Sequence, residues 1–233
     1  MLPSTRARNL FASCVSGLLA LVTRFLRPLD DVTLPDDVES KLVSRLVLRD
    51  ERAFSELVHL YERRVLGLVT RMIGQQEEAR ELTQEVFIQV FKAIGSFRGD
   101  SKLSTWIYRI AVNSCKNRMK YLKVRHDGEQ DELEAIAERV PLGQAARANV
   151  AQVDRPDEVA AGRQIERIVQ ASILRIEPSF REILILRDVE ELSYEEIAEI
   201  TNLNLGTVKS RLFRARNQLK DLVEAAMGEK VRG

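Results

Sequence analysis

The residues best suited to binding another molecule are five cations within residues 207–220, a segment that contains no acid. One apolar stripe follows the helical period through this segment, its members four, three, four and three residues apart: Val208, Leu212, Ala215, Leu219 and Leu222. Polar and cationic residues occupy the opposite face: Lys209, Ser210, Arg211, Arg214, Asn217 and Gln218. A helix with one packed face and one cationic face can reach phosphates and base edges of the major groove. The pattern predicts a nucleic-acid-reading helix, and the alternative is a solvated basic helix on an ordinary bundle.

A shorter helix is predicted immediately before it, within residues 193–201. Ser193, followed three residues later by Glu196, forms a capping box in which each side chain satisfies a free N–H group at the helix start. The helix is expected to end near residues 202–204, where Asn-Leu-Asn tolerates turn geometry. Two helices joined by so short a turn predict a helix-turn-helix.

Charge is separated along the chain, although the net charge of the 233 residues is only +1. Residues 98–125 contain eight Lys or Arg and one acid, whereas residues 127–158 contain nine acids and three Arg. Because salt screens charges more than about 8–10 Å apart, local clusters decide binding and the net charge averages them away. Separate contact surfaces are therefore expected.

Residues suited to catalysis or metal binding are scarce. Two cysteines and two histidines are too few for a disulfide framework or for a metal-ligand set at sensible spacing. The sequence has no glycine-rich phosphate loop, nucleophile elbow or histidine-based triad. We expect no catalytic residue, cofactor, metal or small-molecule substrate, and a reducing cytoplasm as the location.

The N-terminus carries an apolar segment, residues 10–26, preceded by Arg6 and Arg8. This arrangement imitates a signal peptide, but no small-residue cleavage site follows it. Its run without a charge, residues 10–23, is 14 residues long, short of the roughly 20 that a membrane span needs. We expect an appendage or an overextended gene start rather than a membrane-surface helix or an export signal, and no stable membrane insertion.

Helical periodicity dominates the rest of the chain, and strand-like alternation is nowhere sustained. The apolar stripe at residues 82–94, which includes Phe91, is one of several that predict buried helix faces. Residues 127–158 contain too few large apolar residues to form a core, so we expect a flexible acidic linker there. The predicted fold is all-α, with two small helical domains joined by this linker and a helix-turn-helix in the second. The predicted divisions are an N-terminal extension (1–35), a first domain (36–126), the linker (127–158), a second domain (159–227) and a tail (228–233).

The two helical blocks together resemble the extracytoplasmic-function group of bacterial sigma factors. The resemblance rests on residues 49–65, 81–120 and 180–219 and covers about residues 37–225. A helix-turn-helix alone occurs in many unrelated regulators, but TWIYRIAVN at residues 105–113, at this distance upstream, is highly specific. The resemblance implies a protein that binds core RNA polymerase and promoter DNA and directs promoter-specific initiation, in response to an envelope or environmental stress.

The resemblance also implies which residues make these contacts. The segment matching residues 81–91 docks on a coiled coil of the largest polymerase subunit. Gln84, Glu85 and Ile88 project from its outer side, although Glu85 is alternatively a solvated charge. The segment matching residues 103–123 grips the promoter element nearest the start site, the −10 element, and stabilises its melted form. Its candidate residues are Trp106, Tyr108, Arg109, Asn113, Lys116, Asn117 and Lys120.

Different side chains in this second set suit different contacts. Trp106 and Tyr108 can stack on unpaired bases, at ~1–3 kcal/mol per base, although a core tryptophan fits the helix equally well. Asn113 and Asn117 lie one turn apart and suit hydrogen bonds to the edge of a flipped-out base. The cations, with Arg118 and Lys123 added, supply charge for phosphates.

The resemblance places the second helix of the helix-turn-helix in the major groove of the distal promoter element, the −35 element. Lys209, Ser210, Phe213 and Arg214 match positions that touch DNA there, and Arg211 meets a phosphate. Phe213 lies beside the apolar stripe and is alternatively part of the core. Lys209 stands where Arg is frequent, and lysine lacks the planar bidentate fork, so looser base discrimination is expected at that position.

Two other interpretations remain open from the sequence. A stand-alone helix-turn-helix regulator with a helical sensing domain shares the C-terminal motif, but it predicts a ligand pocket and no polymerase binding. A membrane-tethered signalling protein rests only on the apolar residues 10–26. The sequence shows no long C-terminal extension of the kind that some members of the group use for self-regulation. We therefore expect a separate anti-sigma protein to control the chain.

Overall fold

A computed structural model describes residues 34–126 and 156–230, with side-chain surroundings for residues 34–123 and 165–227. These residues form eight α-helices, and no strand occurs among them, so the predicted all-α class is confirmed. Within this part of the chain, no helix combines the length and apolar character that a membrane crossing requires. The predicted N-terminal extension and acidic linker lie outside the described residues, except for residues 34–35 and 156–158 at their ends. Residues 231–233 of the predicted tail also lie outside them.

The first block consists of four helices, whose ends follow local rules. They are α1 (Asp36–Val47), α2 (Glu51–Ile73), α3 (Gln76–Ala93) and α4 (Leu103–His126). Asp50 caps α2, because its Oδ1 accepts hydrogen bonds from the N–H groups of Arg52 at 2.8 Å and Ala53 at 3.3 Å. The same helix ends at Gly74, whose φ of 89° is left-handed and favours glycine. The apolar pattern of the sequence predicts a helix from Leu103 to about Leu122, and α4 continues past that position to His126.

The second block also consists of four helices. They are α5 (Pro156–Arg175), α6 (Pro178–Leu184), α7 (Tyr194–Thr201) and α8 (Leu205–Lys230). Pro178 occupies the first turn of α6, where its missing N–H costs nothing. The apolar-rich sequence of residues 180–187 predicts one regular helix that continues to Arg187. Instead, α6 ends at Leu184 and the chain widens into a π-helical turn over Ile185–Val189, followed by a buried Glu190.

The helix-turn-helix forms as predicted, with one difference at its second helix. Glu196 N–H donates to Ser193 Oγ at 3.1 Å and Ser193 N–H donates to Glu196 Oε2 at 2.8 Å, which completes the capping box. Helix α8 begins at Leu205 and not at Thr207, because Asn204 Oδ1 accepts a hydrogen bond from Thr207 N–H at 2.8 Å. Four of the five residues predicted for the apolar stripe are buried: Val208, Leu212, Ala215 and Leu219. The fifth, Leu222, is half-buried, and Val223 is buried as well.

Removing the capping serine should weaken the second block. Ser193→Ala is expected to lower the free energy of unfolding by about 1 kcal/mol, because the N–H of Glu196 loses its acceptor. Urea denaturation followed by circular dichroism measures the change. Ser55→Ala, at an exposed serine inside α2, is the matched control and should cost less. Equal stability of Ser193→Ala and the native chain would contradict the role of the cap.

The two blocks pack against each other and share one apolar core, a contact that the sequence did not predict. Helix α4 lies against α7, and the end of α2 lies against α5. A Cβ atom added at Gly74 would lie 3.0 Å from the side-chain methyl groups of Leu174. The glycine therefore both ends α2 and leaves room for the second block to approach.

Candidate nucleic-acid interface

Helix α8 presents most of its predicted DNA-contacting residues to solvent. Lys209, Ser210, Phe213 and Arg214 are exposed, and Arg211 is half-buried. Phe213 is 66% exposed, so the alternative that it belongs to the core is wrong. Two cations, a hydroxyl and an aromatic ring thus share an outward surface on the second and third turns of the helix, opposite the buried stripe.

One cation of the same helix turns inward instead. Arg216 donates two hydrogen bonds to Asp188, from Nε to Oδ2 at 2.9 Å and from Nη2 to Oδ1 at 2.5 Å. Asp188 lies in the π-helical turn and is 6% exposed. This bidentate pair fixes α8 on the second block, and sequence reasoning missed it. In the sequence, Arg216 is one of five similar cations in this segment. Helical periodicity does not reveal which of the five forms an ion pair with an acid from another segment.

Some of the predicted DNA-binding residues of α4 are exposed to solvent, and others are packed within the protein or paired with the second block. Asn113, Asn117 and Lys120 are exposed and follow one another along the helix, as a base-reading and phosphate-binding surface requires. Trp106 is half-buried and packs on Phe97, with 5.3 Å between ring centroids. The structure therefore supports a partly structural role for the tryptophan.

The other three predicted residues of α4 face the second block. The Tyr108 hydroxyl donates a hydrogen bond to Glu190 Oε2 at 2.9 Å, and the tyrosine is fully buried. In this arrangement it cannot stack on a base. Lys116 and Arg109 pair with carboxylates of the second block: Lys116 with Glu182 and Arg109 with Glu199.

Burial controls the ionisation of the groups at this contact. Desolvation raises the pKa of Glu190 above its usual value, and the nearby guanidinium groups of Arg71 and Arg64 oppose the rise. Desolvation likewise raises the pKa of Glu182, while its hydrogen bond and charge interaction with Lys116 act in the opposite direction. The pKa of Tyr108 lies well above its usual value, chiefly because the ring is buried. The tyrosine is therefore a neutral hydrogen-bond donor at any physiological pH.

The predicted polymerase-docking residues lie together on the outer side of α3. Gln84, Glu85 and Ile88 are exposed. The inner side of α3 carries the buried residues Leu82, Val86 and Val90. Arg118, which was expected to supply charge for phosphates, instead ties α4 to α3 through Glu78 at 2.6 Å and Glu85 at 2.7 Å. Glu85 is consequently an ion-pair partner as well as a surface charge.

An apolar extension of this surface was not found from the sequence. Phe91 was predicted to be part of a buried stripe, but it is 39% exposed. Its ring packs edge-on against Phe54, with 5.0 Å between centroids, and beneath the guanidinium of Arg49. Ile88 lies one turn earlier and is 53% exposed, and Leu48 is 81% exposed. In the sequence, the only indication of this apolar surface was the spacing of Ile88 and Phe91, two large apolar residues three positions apart.

The structure thus defines an all-helical protein with a helix-turn-helix and a second helix that exposes amides and cations. A family model for sigma-70 region 2 matches residues 57–124, and one for sigma-70 region 4 matches residues 166–219. The chain is 37% identical to the ECF RNA polymerase sigma-E factor of Haemophilus influenzae, over 81% of this chain and 97% of the relative. It is 34% identical to the RNA polymerase sigma-H factor of Pseudomonas aeruginosa, over 84% of this chain and 99% of the relative. The chain therefore belongs to the sigma-70 family, in its extracytoplasmic-function group of RNA polymerase sigma factors.

Two solved structures share the fold. CnrH, in complex with the cytosolic domain of CnrY, superimposes with a TM-score of 0.55 at 19% identity, over 81% of this chain and 99% of that one. The sigma factor RpoE of Bartonella quintana, in complex with the anti-sigma factor NepR, gives a TM-score of 0.55 at 22% identity. That match covers 73% of this chain and 96% of RpoE. At these identities, the similarity concerns the fold alone.

Proposed function

We propose that this chain binds core RNA polymerase and reads two promoter elements with its two helical domains. The observation that carries the proposal is the outer face of α8, where Lys209, Ser210, Phe213 and Arg214 are exposed opposite a buried stripe. The amides and cations of α4 form the surface for the nearer element, and the outer side of α3 contacts the polymerase. The chain is an initiation factor and not an enzyme, and it acts in the cytoplasm with the polymerase on the nucleoid.

The chemistry of each surface suits the partner proposed for it. An arginine such as Arg214 can donate two parallel hydrogen bonds to a guanine, and an exposed ring such as that of Phe213 can contact a thymine methyl group. The exposed amides of Asn113 and Asn117 can donate to and accept from the edge of an unpaired base. The apolar residues on α3 suit a protein partner better than DNA, because they carry no charge for phosphates.

Reconstituted transcription tests the proposal directly. The assay combines core RNA polymerase of Escherichia coli, whose sigma-E factor is 36% identical to this chain, with genomic fragments from the source bacterium. Discrete transcripts that depend on the added protein are expected. A stand-alone regulator, the alternative, would bind the same fragments without polymerase and would create no start site with core polymerase alone. That result would refute the proposed function.

The docking surface on α3 gives a prediction of its own. Ile88→Asp is expected to weaken binding to core polymerase at least about tenfold, because a charged group would be desolvated in an apolar contact. The side chain is 53% exposed in the free chain, so folding should be unaffected. Ile88→Leu, which preserves the apolar surface, is the matched control. Titration of labelled chain with core polymerase measures both variants, and native affinity of the aspartate variant would refute this location.

We also propose that a separate anti-sigma protein controls the chain in response to an envelope or environmental stress. Among solved structures of this fold, RpoE is described in complex with the anti-sigma factor NepR, and CnrH in complex with the cytosolic domain of CnrY. A purified anti-sigma protein encoded beside this gene should abolish initiation in the reconstituted assay. Full initiation at a molar excess of that protein would contradict its proposed role.

A further inference from the structure

Stacking on unpaired bases requires an aromatic ring that a ligand can reach, and α4 carries three large aromatic residues. Two of them are engaged within the protein. Trp106 is half-buried against Phe97, and Tyr108 is buried and donates a hydrogen bond to Glu190. The third, Tyr121, was not among the residues predicted to contact DNA, and it is 60% exposed. Tyr121 is therefore the aromatic residue of α4 whose ring is open to a ligand.

Tyr121 continues the row of amides that is proposed to meet the unpaired strand. Asn113, Asn117 and Tyr121 are spaced four residues apart, and all three are exposed. Residues at this spacing lie above one another on one face of a helix, with a rise of about 6 Å per step. The two amides and the ring therefore form a line about 12 Å long on the surface of α4.

Two lysines flank this line near its end. Lys120 and Lys123 are exposed and lie next to Tyr121 in the helix. A lysine ammonium can bind phosphate oxygens, and such contacts position a strand without reading its bases. Proteins hold single-stranded nucleic acid with this combination, because the bases stack on aromatic rings while the backbone follows the positive charge. The end of α4 therefore has the two components of a site for an unpaired strand.

The lysines beside Tyr121 differ from the other cations in this part of α4. Arg118 is paired with acids of α3, and Lys116 is paired with an acid of the second block. Among the residues that the structure describes, no acid forms an ion pair with Lys120 or Lys123. These two lysines can therefore bind phosphates without first breaking a contact of the fold.

The length of the line determines how many nucleotides it spans. For an unpaired strand that keeps the B-form spacing of about 3.4 Å, a line of about 12 Å corresponds to about three or four nucleotides. We propose that Tyr121 stacks on an unpaired base of the nearer promoter element, about three or four nucleotides from the base that Asn113 contacts. The inference rests on the proposed function and adds to it a residue that helps to hold the element melted. Because every base has a π-face, the ring stabilises the unpaired strand without selecting its sequence.

Binding of a partly unpaired promoter tests the contact. The native chain, Tyr121→Ala and Tyr121→Phe are each combined with core polymerase and titrated with a promoter from the reconstituted assay whose nearer element is left unpaired. Tyr121→Ala should bind this probe about tenfold more weakly, because one base loses its stacking partner. Tyr121→Phe is the matched control and should bind like the native chain, because it retains the ring. Circular dichroism of both variants should equal that of the native chain, since the site is exposed.

Removal of single bases locates the contact on the strand. The probe is prepared with an abasic site at each unpaired position in turn. One of these sites should weaken binding of the native chain about tenfold and binding of Tyr121→Ala less than about twofold, because the variant has no stack to lose there. Asn113→Ala should become insensitive at another position, about three or four nucleotides away. Lys120→Ala, which removes a phosphate contact, should instead weaken binding of every probe alike.

The outcomes separate failure of this inference from failure of the proposed function. If the native chain initiates with core polymerase and Tyr121→Ala binds every probe equally tightly, Tyr121 is a solvated surface residue and the inference is wrong. A loss of affinity by Tyr121→Ala that is the same at every abasic position, or an equal loss by Tyr121→Phe, would also overturn it, because a stacked ring predicts neither. If the native chain itself does not initiate with core polymerase, the proposed function fails and the inference falls with it.

Discussion

Arg214→Ala is expected to lower initiation at a cognate promoter about tenfold or more while leaving the fold intact. The side chain is exposed on α8, opposite the buried stripe, so its removal creates no cavity. An arginine that donates two hydrogen bonds to a guanine discriminates by ~1–3 kcal/mol, and about 1.4 kcal/mol corresponds to a factor of ten. Helical content and binding to core polymerase should equal those of the native chain.

The role of Arg214 as a base reader requires a comparison across promoter sequences. Native chain and Arg214→Ala are assayed on promoters that carry every single substitution in the distal element. Loss of discrimination confined to one position identifies the base that the arginine reads. A phosphate contact would instead weaken all sequences alike and reduce the salt dependence. If the variant retains every native base preference, specificity must rest on Lys209 and Ser210.

Arg216→Ala, two residues further along the helix, is expected to lower the stability of the fold, which Arg214→Ala leaves unchanged. It should lower the free energy of unfolding by about 3–5 kcal/mol, because it leaves the carboxylate of Asp188 buried without its partner. Chemical denaturation of Arg216→Ala and Arg214→Ala measures the contrast between neighbouring arginines on one helix. Arg214→Ala should unfold like the native chain.

A double variant shows whether the buried charge causes this loss. Asp188→Asn combined with Arg216→Met removes both charges and should recover part of the stability that Arg216→Ala loses, because no uncompensated carboxylate then remains buried. If Arg216→Ala unfolds like the native chain, the pair is not a structural anchor. Arg216 would then have to be considered with the cations proposed to contact DNA.

Features that depend on neighbours within a few residues were predictable from the sequence. The capping box at Ser193 and Glu196 forms as predicted because both partners lie in one helical turn. The buried face of α8 follows from the spacing of Val208, Leu212 and Ala215, since helical geometry alone aligns them. The all-α class and the helix-turn-helix follow from the same local rules, and so does the exposure of Arg214.

The residues at which helices begin and end, and the places where a helix widens into a π-helical turn, were less predictable because one or a few hydrogen bonds determine them. Helix α8 begins two residues early because the side chain of Asn204 accepts a hydrogen bond from Thr207. The chain after Leu184 widens into a π-helical turn, although the apolar pattern predicted a regular helix there. Periodicity averages over a whole segment, so it does not detect an exchange of one or two hydrogen bonds at an end.

Only the tertiary structure decided which of the similar residues are exposed and which bind other parts of the fold. Arg214 and Arg216 are both cations of one basic helix, yet one is exposed and the other binds a buried carboxylate from a distant turn. Tyr108 belongs to a motif specific to the family, but Glu190 from the other block buries it. A helical period fixes the direction of a side chain relative to its own helix. What that side chain meets depends on contacts between segments far apart in the sequence, and these are set by packing of the whole chain.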